Sequence, residues 1–218
     1  MIFFVNNGIV SRKCFEETSD MNEKFYSLKK EKQDTMINGA MEVFAKSGYK
    51  HASTDEMVRV CGVSKGLWFH YFENKTGLYS FVASYALKYA MLEFNMRTIR
   101  EGMDYFDMRY DMEVCKTIMM NKYPYLPLFL ISIEKEDDED VAEALKDPLA
   151  RYREDMSELL QSADYGCLLD HEDHVLLTDM VDHTIDALMT EAYRSAVFPK
   201  ERYLDSVRKH LKALKRLL

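Results

Sequence analysis

Apolar residues recur at three- and four-residue spacing along most of the chain. Met36, Ile37, Ala40, Met41, Val43 and Phe44 form one such stripe and predict a helix from Lys29. Lys46-Ser47-Gly48 supplies a basic last turn and a glycine stop. A second helix is expected from Ser53. Ser53-Thr54-Asp55-Glu56 has the S-x-x-E form in which serine and glutamate each satisfy an exposed backbone N–H, and Met57, Val58 and Val60 give its apolar side. Cys61-Gly62-Val63 breaks that helix within three residues. Ser64 can cap a short third helix through Tyr71. Asn74 can cap a fourth that opens at Lys75 and carries Leu78, Phe81, Val82, Tyr85, Tyr89 and Leu92. Further helices are expected at 103–121, 124–134, 139–162, 171–196 and 200–217. Pro124 and Pro127 stand at the start of one, where a missing N–H does no harm, and Pro199 separates the last two. The expected fold is all-α, and 8 glycines and 4 prolines in 218 residues agree, because a β-rich chain needs many more turns.

Composition adds a constraint and then a contrast. With 29 Lys+Arg against 37 Asp+Glu the formal net charge is −8, which taken whole argues against nucleic acid. The charge is unevenly spread. Residues 24–75 carry +3, residues 76–218 carry −9 and residues 1–23 carry −2, so a small basic unit is joined to a larger acidic one. These three segments are the expected domains. Residues 1–23 form an N-terminal extension of no clear period, and Met21 is an alternative natural start that would leave residues 1–20 outside the native protein. No membrane span is expected, since the uncharged runs are short and broken. Cys14, Cys61, Cys115 and Cys167 are far apart and form no CxxC pair, which favours reduced thiols in the cytoplasm.

The turn between the second and third helices carries the chemistry. Ser53–Cys61, Gly62-Val63 and Ser64–Tyr71 make a helix-turn-helix, with Gly62 suited to a left-handed backbone and Val63 able to plug the angle. In that motif the second helix enters the major groove and the first crosses the backbone. Lys65 can reach phosphate or a guanine edge. Gly66 removes a side chain where the helix nears DNA, and Leu67 and Phe69 can make apolar contacts. His70 and Tyr71 can donate to phosphate, and Lys75 meets it just downstream. Ser53, Thr54 and the free N–H groups at Ser64 offer a further phosphate site. Trp68 and Phe72 face the first helix and suit the core better than contact. Tyr49 and His51 suit loop packing and phosphate neighbourhood alike.

Residues 29–80 resemble the DNA-binding domain of the tetracycline-repressor (TetR) family of bacterial transcriptional regulators. The resemblance is carried by Ala40-Met41-Glu42-Val43-Phe44-Ala45-Lys46-Ser47-Gly48-Tyr49, by Ser53, by Gly62-Val63-Ser64-Lys65-Gly66-Leu67-Trp68-Phe69-His70-Tyr71-Phe72 and by Lys75. The family's usual run is Gly-Val-Ser-Lys-Gly-Thr-Leu-Tyr-His-Tyr-Phe. Leu67, Trp68 and Phe69 depart from it, and a hydroxyl contact at Phe69 is lost. The resemblance implies a homodimer on a palindromic double-stranded operator. It also implies a helical C-terminal domain that binds a small-molecule effector, and dimerisation through the last two helices. Leu177, Val181, Thr184 and Leu188, with Leu204, Val207, Leu211 and Leu214, would form the dimer surface; the last four recur at a seam-like spacing. Phe94, Met103, Phe106, Tyr123, Phe129, Tyr152 and Met156 would line an adaptable pocket, and each also suits ordinary core.

Two other features suit plainer roles. Residues 134–140 form an acidic run, most simply a solvated loop and helix start. His171, Glu172, Asp173, His174, Asp179 and His183 have metal-like spacing, but an acidic helix start that complements the dipole is the simpler reading, and no metal or other cofactor is expected. No Ser/His/Asp order, phosphate-cradling glycine loop or secluded carboxylate pair supports an enzyme. The expected function is a ligand-relieved repressor. An all-α carrier or enzyme with an inert helix-turn-helix, and a DNA-binding regulator controlled by a protein partner, stand as alternatives.

Overall fold

The computed structural model describes residues 24–97, 102–166 and 170–217. The expectations for residues 1–23, for Cys14 and Cys167, and for the side chain of His171 lie outside the described residues. The helices are α1 (Lys30–His51), α2 (Thr54–Cys61), α3 (Lys65–Phe72), α4 (Lys75–Arg97), α5 (Tyr105–Met119), α6 (Leu126–Glu134), α7 (Glu139–Gln161), α8 (His171–Ala192) and α9 (Lys200–Leu217). Among the described residues there is no strand, only a bridge between Asp104 and Asp164 that clamps the start of α5 to the end of α7. No helix among them is long and apolar enough to cross a membrane.

Helices α1 to α3 form a head, and α4 runs from it into the body, where it packs on α5, α6 and α7. Head and body share one continuous core. Phe44 of α1, Tyr79 of α4 and Phe129 of α6 meet there, with Tyr79 edge-on to both other rings. A polar seam runs beside them. The Tyr123 hydroxyl donates to Asp34 Oδ1 at 3.0 Å and hydrogen-bonds Tyr85 at 2.5 Å, while Asn38 donates to the Lys122 carbonyl.

Helix ends follow local chemistry, with two departures. Asn74, Asp104, Asp138 and Asp170 each accept a backbone N–H from the first turn they precede. Ser53 lies in extended backbone as an N-cap should, yet its side chain makes no cap hydrogen bond, so the expected reciprocal box is not formed. Gly48 does break α1 (φ 67°), but a further turn, Tyr49 to His51, follows the kink. That kink aims the Tyr49 N–H at Glu136 Oε2, 2.9 Å away. The acidic run is therefore only partly solvated. Glu134 pairs with Arg153, Glu136 holds the head, and Asp138 caps α7. Helix α7 runs through Pro148; the carbonyl left without its N–H belongs to exposed Ala144, where water can serve it.

The seam-like stripe on α9 is used inside its own chain. Tyr203, Val207 and Leu211 are buried against α5 and α8, and Leu204 and Leu214 are half-buried against the same core. On α8, Leu177, Val181, Ile185 and Met189 are buried, with Leu188 and Thr184 at the margin. Leu177, Val181, Val207 and Leu211, expected on a dimer surface, are buried within this chain. The periodicity marked a buried face without saying whose core covers it. What α8 leaves outside is a second apolar row, Val175, Leu176 and Met180.

Candidate nucleic-acid interface

Helix α2 ends at Gly62, whose left-handed backbone (φ 64°, ψ 24°) returns its N–H to the Val58 carbonyl at 2.9 Å. No Cβ penalty applies to glycine there. Val63 packs half-buried against the core, and Ser64 Oγ accepts the Leu67 N–H, starting α3. The approach of α1 to α2 is close enough to require Gly39, since a Cβ there would lie 2.1 Å from Cys61 Sγ.

The two sides of α3 differ sharply. Trp68, Tyr71 and Phe72, at i, i+3 and i+4, are buried. Phe25 is fully buried beneath them, edge-on to Tyr71 and in contact with Phe72 and Phe81. Burial of a ring this size contributes about 1.5–3 kcal/mol and fixes the tilt of α3. The outer side carries Ser64, Lys65, Gly66, Phe69 and His70, all exposed, with Leu67 half-buried. Phe69 keeps 40% of its surface in solvent, unusual for so large an apolar side chain in a small helix. Gly66 has nothing within 4 Å of where a Cβ would stand, so its lack of a side chain is not demanded by the chain's own packing.

The expected contact residues divide on this geometry. Ser53, Ser64, Lys65, Gly66, Phe69 and His70 lie on the open surface, with Thr54 and Leu67 at its edge. Tyr71 does not, because its ring is buried and takes His70 edge-on at 4.9 Å. Lys75 is also drawn inward. Its ammonium donates to the Tyr49 carbonyl at 2.9 Å and the Lys50 carbonyl at 3.3 Å and sits 4.3 Å above the Tyr49 ring, a cationic cap on the end of α1. Lys65 has a partner that sequence reading missed: Asp55 Oδ1, across the turn at 2.8 Å, with both side chains largely exposed. Burial pushes the Cys61 thiol beneath this surface up to about 12, so it is no nucleophile at neutral pH.

The comparisons agree with this head. A family profile described as bacterial regulatory proteins of the tetR family matches residues 36–80. That match covers the helix-turn-helix head of the chain. An uncharacterized HTH-type transcriptional regulator of Bacillus subtilis, YuxN, is 39% identical over 49 residues, which are 22% of this chain and 17% of that protein. The chain thus matches about a sixth of that relative's length. Solved TetR-family structures extend the likeness to the whole fold. A regulator from Chloroflexus aurantiacus superposes with a TM-score of 0.59 at 17% identity, over 89% of this chain and 96% of that one. PfmR from Thermus thermophilus superposes with a TM-score of 0.55 at 15% identity, over 83% and 97%. At these identities the shared property is the all-α TetR-family architecture of helix-turn-helix head and helical body.

The expected pocket residues are spread over several elements of one core. Phe129 and Tyr123 lie at the head–body seam. Phe94 is buried in α4, Phe106 is buried beside Tyr105, and Met103 is half-buried before α5. Tyr152 and Met156 sit half-buried on α7, with Tyr152 in electrostatic reach of Arg109. Sequence reading missed the polar group at that spot. Arg109 and Glu113 are buried on α5, where the Arg109 guanidinium donates to Asp182 of α8, and Tyr203 of α9 donates to Glu113. The signal was present in the pattern, since both charged residues interrupt the apolar stripe Tyr105, Met108, Met112, Cys115, Met119. On α8, His174 stacks on Tyr165 near the start, and His183 further along meets the Asp179 carbonyl and carboxylate. No group of three or more metal-ligating side chains gathers among the described residues.

Proposed function

We propose that this chain is a sequence-specific DNA-binding transcriptional regulator, a dimeric repressor that a small molecule releases from a palindromic operator. The observation that carries the reading is the two-sided α3: Lys65, Gly66, Phe69 and His70 stand open above the buried Trp68, Tyr71 and Phe72. A helix anchored in this way by one face presents the other to the major groove. Residues 24–75 serve as the DNA-binding unit and residues 76–218 as the effector-binding and dimerising unit. The outer row of α8, Val175, Leu176 and Met180, flanked by Thr184, supports a dimer better than the buried stripes do. The acidic body keeps non-specific affinity low, so binding depends on two heads acting together. Such a regulator works in the cytoplasm and is assigned no reaction.

Release is a population shift. Effector must bind the conformation that misaligns the heads more tightly, and coupling of about 1–3 kcal/mol changes operator affinity about 5- to 150-fold. The test is fluorescence anisotropy with DNA from upstream of the protein's own coding sequence, together with footprinting. Specific binding with two protected half-sites, weakened by Lys65→Ala, is expected. Equal affinity for scrambled DNA would sink the proposal.

A further inference from the structure

Arg109 is 2% exposed, yet among the described residues only one of its three guanidinium nitrogens has an acceptor. Nη2 donates to Asp182, while Nε and Nη1 are buried without a hydrogen-bond partner among the described residues. A buried donor left unpaired is costly, and more so when it is charged. The one acceptor it has is loosely held, since the Asp182 side chain is 52% exposed and marks the way in from solvent. Three tyrosines, Tyr105, Tyr152 and Tyr165, lie in electrostatic reach of the guanidinium. Two of them are held in place, for Tyr105 stacks on Tyr165 at 4.6 Å and donates to Thr178. Glu113 is in electrostatic reach of Arg109 but hydrogen-bonds none of its nitrogens; its Oε2 accepts from Tyr203 and its Oε1 pairs with Lys116.

We propose that Arg109 and its tyrosine surround recognise the carboxylate of a small organic monoanion with an aromatic or apolar body. This rests on the reading of the chain as an effector-controlled regulator, and it names the chemical class of that effector. The charge balance disfavours a multiply charged ligand. Arg109 and Lys116 offset Glu113 and Asp182, so one added negative charge is tolerable and a doubly charged phosphate is opposed. The rings supply apolar contact for the body, and the guanidinium suits a carboxylate. Asp182 is the counterion of Arg109, and an entering carboxylate competes with it. That exchange bears on how α5 and α8 sit together, because Arg109–Asp182 is an ion pair between them.

The experiment compares benzoate and octanoate with benzamide and octanamide at matched ionic strength, reading thermal unfolding and operator release in the same samples. Each carboxylate is expected to raise Tm and release DNA where its amide does neither. Arg109→Met should weaken carboxylate binding about 10- to 100-fold, the scale of a lost hydrogen bond to a charged group. Asp182→Asn, at a half-exposed position, should fold and bind carboxylates more tightly. The proposal is overturned if amides act as well as carboxylates, if neither carboxylate acts, or if Arg109→Met retains the response. Should Arg109→Met not fold, Asp182→Asn decides, and unchanged or weaker carboxylate binding by it overturns the proposal. A protein that binds its operator but ignores carboxylates refutes this inference alone. One that binds no DNA refutes the regulator reading, while Tm still reports on Arg109.

Discussion

Asp55 is expected to restrain DNA binding by holding the lysine that DNA needs. Its carboxylate lies 2.8 Å from Lys65 Nζ, with 75% of the Asp55 side chain and 50% of the Lys65 side chain exposed. An exposed pair of this kind is worth about 0.2–1 kcal/mol, and phosphate must displace it. In a dimer the cost is met twice. Asp55→Asn should therefore tighten operator binding by about 0.4–2 kcal/mol, roughly 2- to 30-fold. The same change removes a negative charge from the first turn of α2 and should cost about 0.3–1 kcal/mol of stability, so the variant binds better while folding slightly worse. The assay is anisotropy at fixed moderate salt with Asp55→Asn, Lys65→Ala and the double variant. If the gain comes from releasing Lys65, it shrinks when Lys65 is already gone. An equal gain in both backgrounds would show a general charge effect, and a loss of affinity in Asp55→Asn would show that the pair positions Lys65 instead of withholding it.

Three further outcomes follow from particular contacts. Gly66→Ala meets no neighbour in the chain and adds helix propensity, so stability should hold or rise by up to about 1 kcal/mol while operator binding falls; unchanged binding would mean that α3 does not lie close against DNA at that turn. Tyr123→Phe leaves buried Tyr85 and the Asp34 carboxylate without a shared partner and should cost about 1–3 kcal/mol in urea unfolding, with a shift under about 0.5 kcal/mol counting against the head–body seam. Burial raises the Cys61 and Cys115 thiols from 9.0, and the Tyr85 and Tyr105 hydroxyls from 10.0, all to about 12. Between those values the unfolded chain has lost protons that the native one keeps. Stability should hold below about pH 9 and fall progressively towards about pH 12, as urea midpoints across that range would register.

Helix existence and order were legible because burial imposes a 3.6-residue period, and α9 was expected at 200–217, where it lies. Boundaries drifted where capping chemistry is ambiguous. Ser53 has the right sequence context but makes no side-chain cap, and α8 stops at Ala192, short of the expected 196, where the chain turns toward Pro199. The open face of α3 was legible because its polar and glycine positions fall between core positions. The interior partners of Tyr71 and Lys75 were not legible, because a phenol and a long ammonium suit phosphate and interior partners equally, and only tertiary neighbours decide. Phe25 was missed because a lone aromatic ahead of a helix has no period to announce it. The stripe expected at a dimer surface makes a related point. Leu177, Val181, Val207 and Leu211 show that periodicity reports a covered face, whereas Val175, Leu176 and Met180 stand in no such clean repeat and stay exposed.

The central claim is that the head binds DNA through phosphate-facing cations around α3. Its most direct test is a salt titration of binding to DNA from the protein's own locus, for wild type and Lys65→Ala. The account predicts a linear fall of log K with log salt, about 0.9 per phosphate neutralised, and a slope shallower by about 1 per head in Lys65→Ala. Binding that ignores salt, or a slope that Lys65→Ala leaves unchanged, would contradict it.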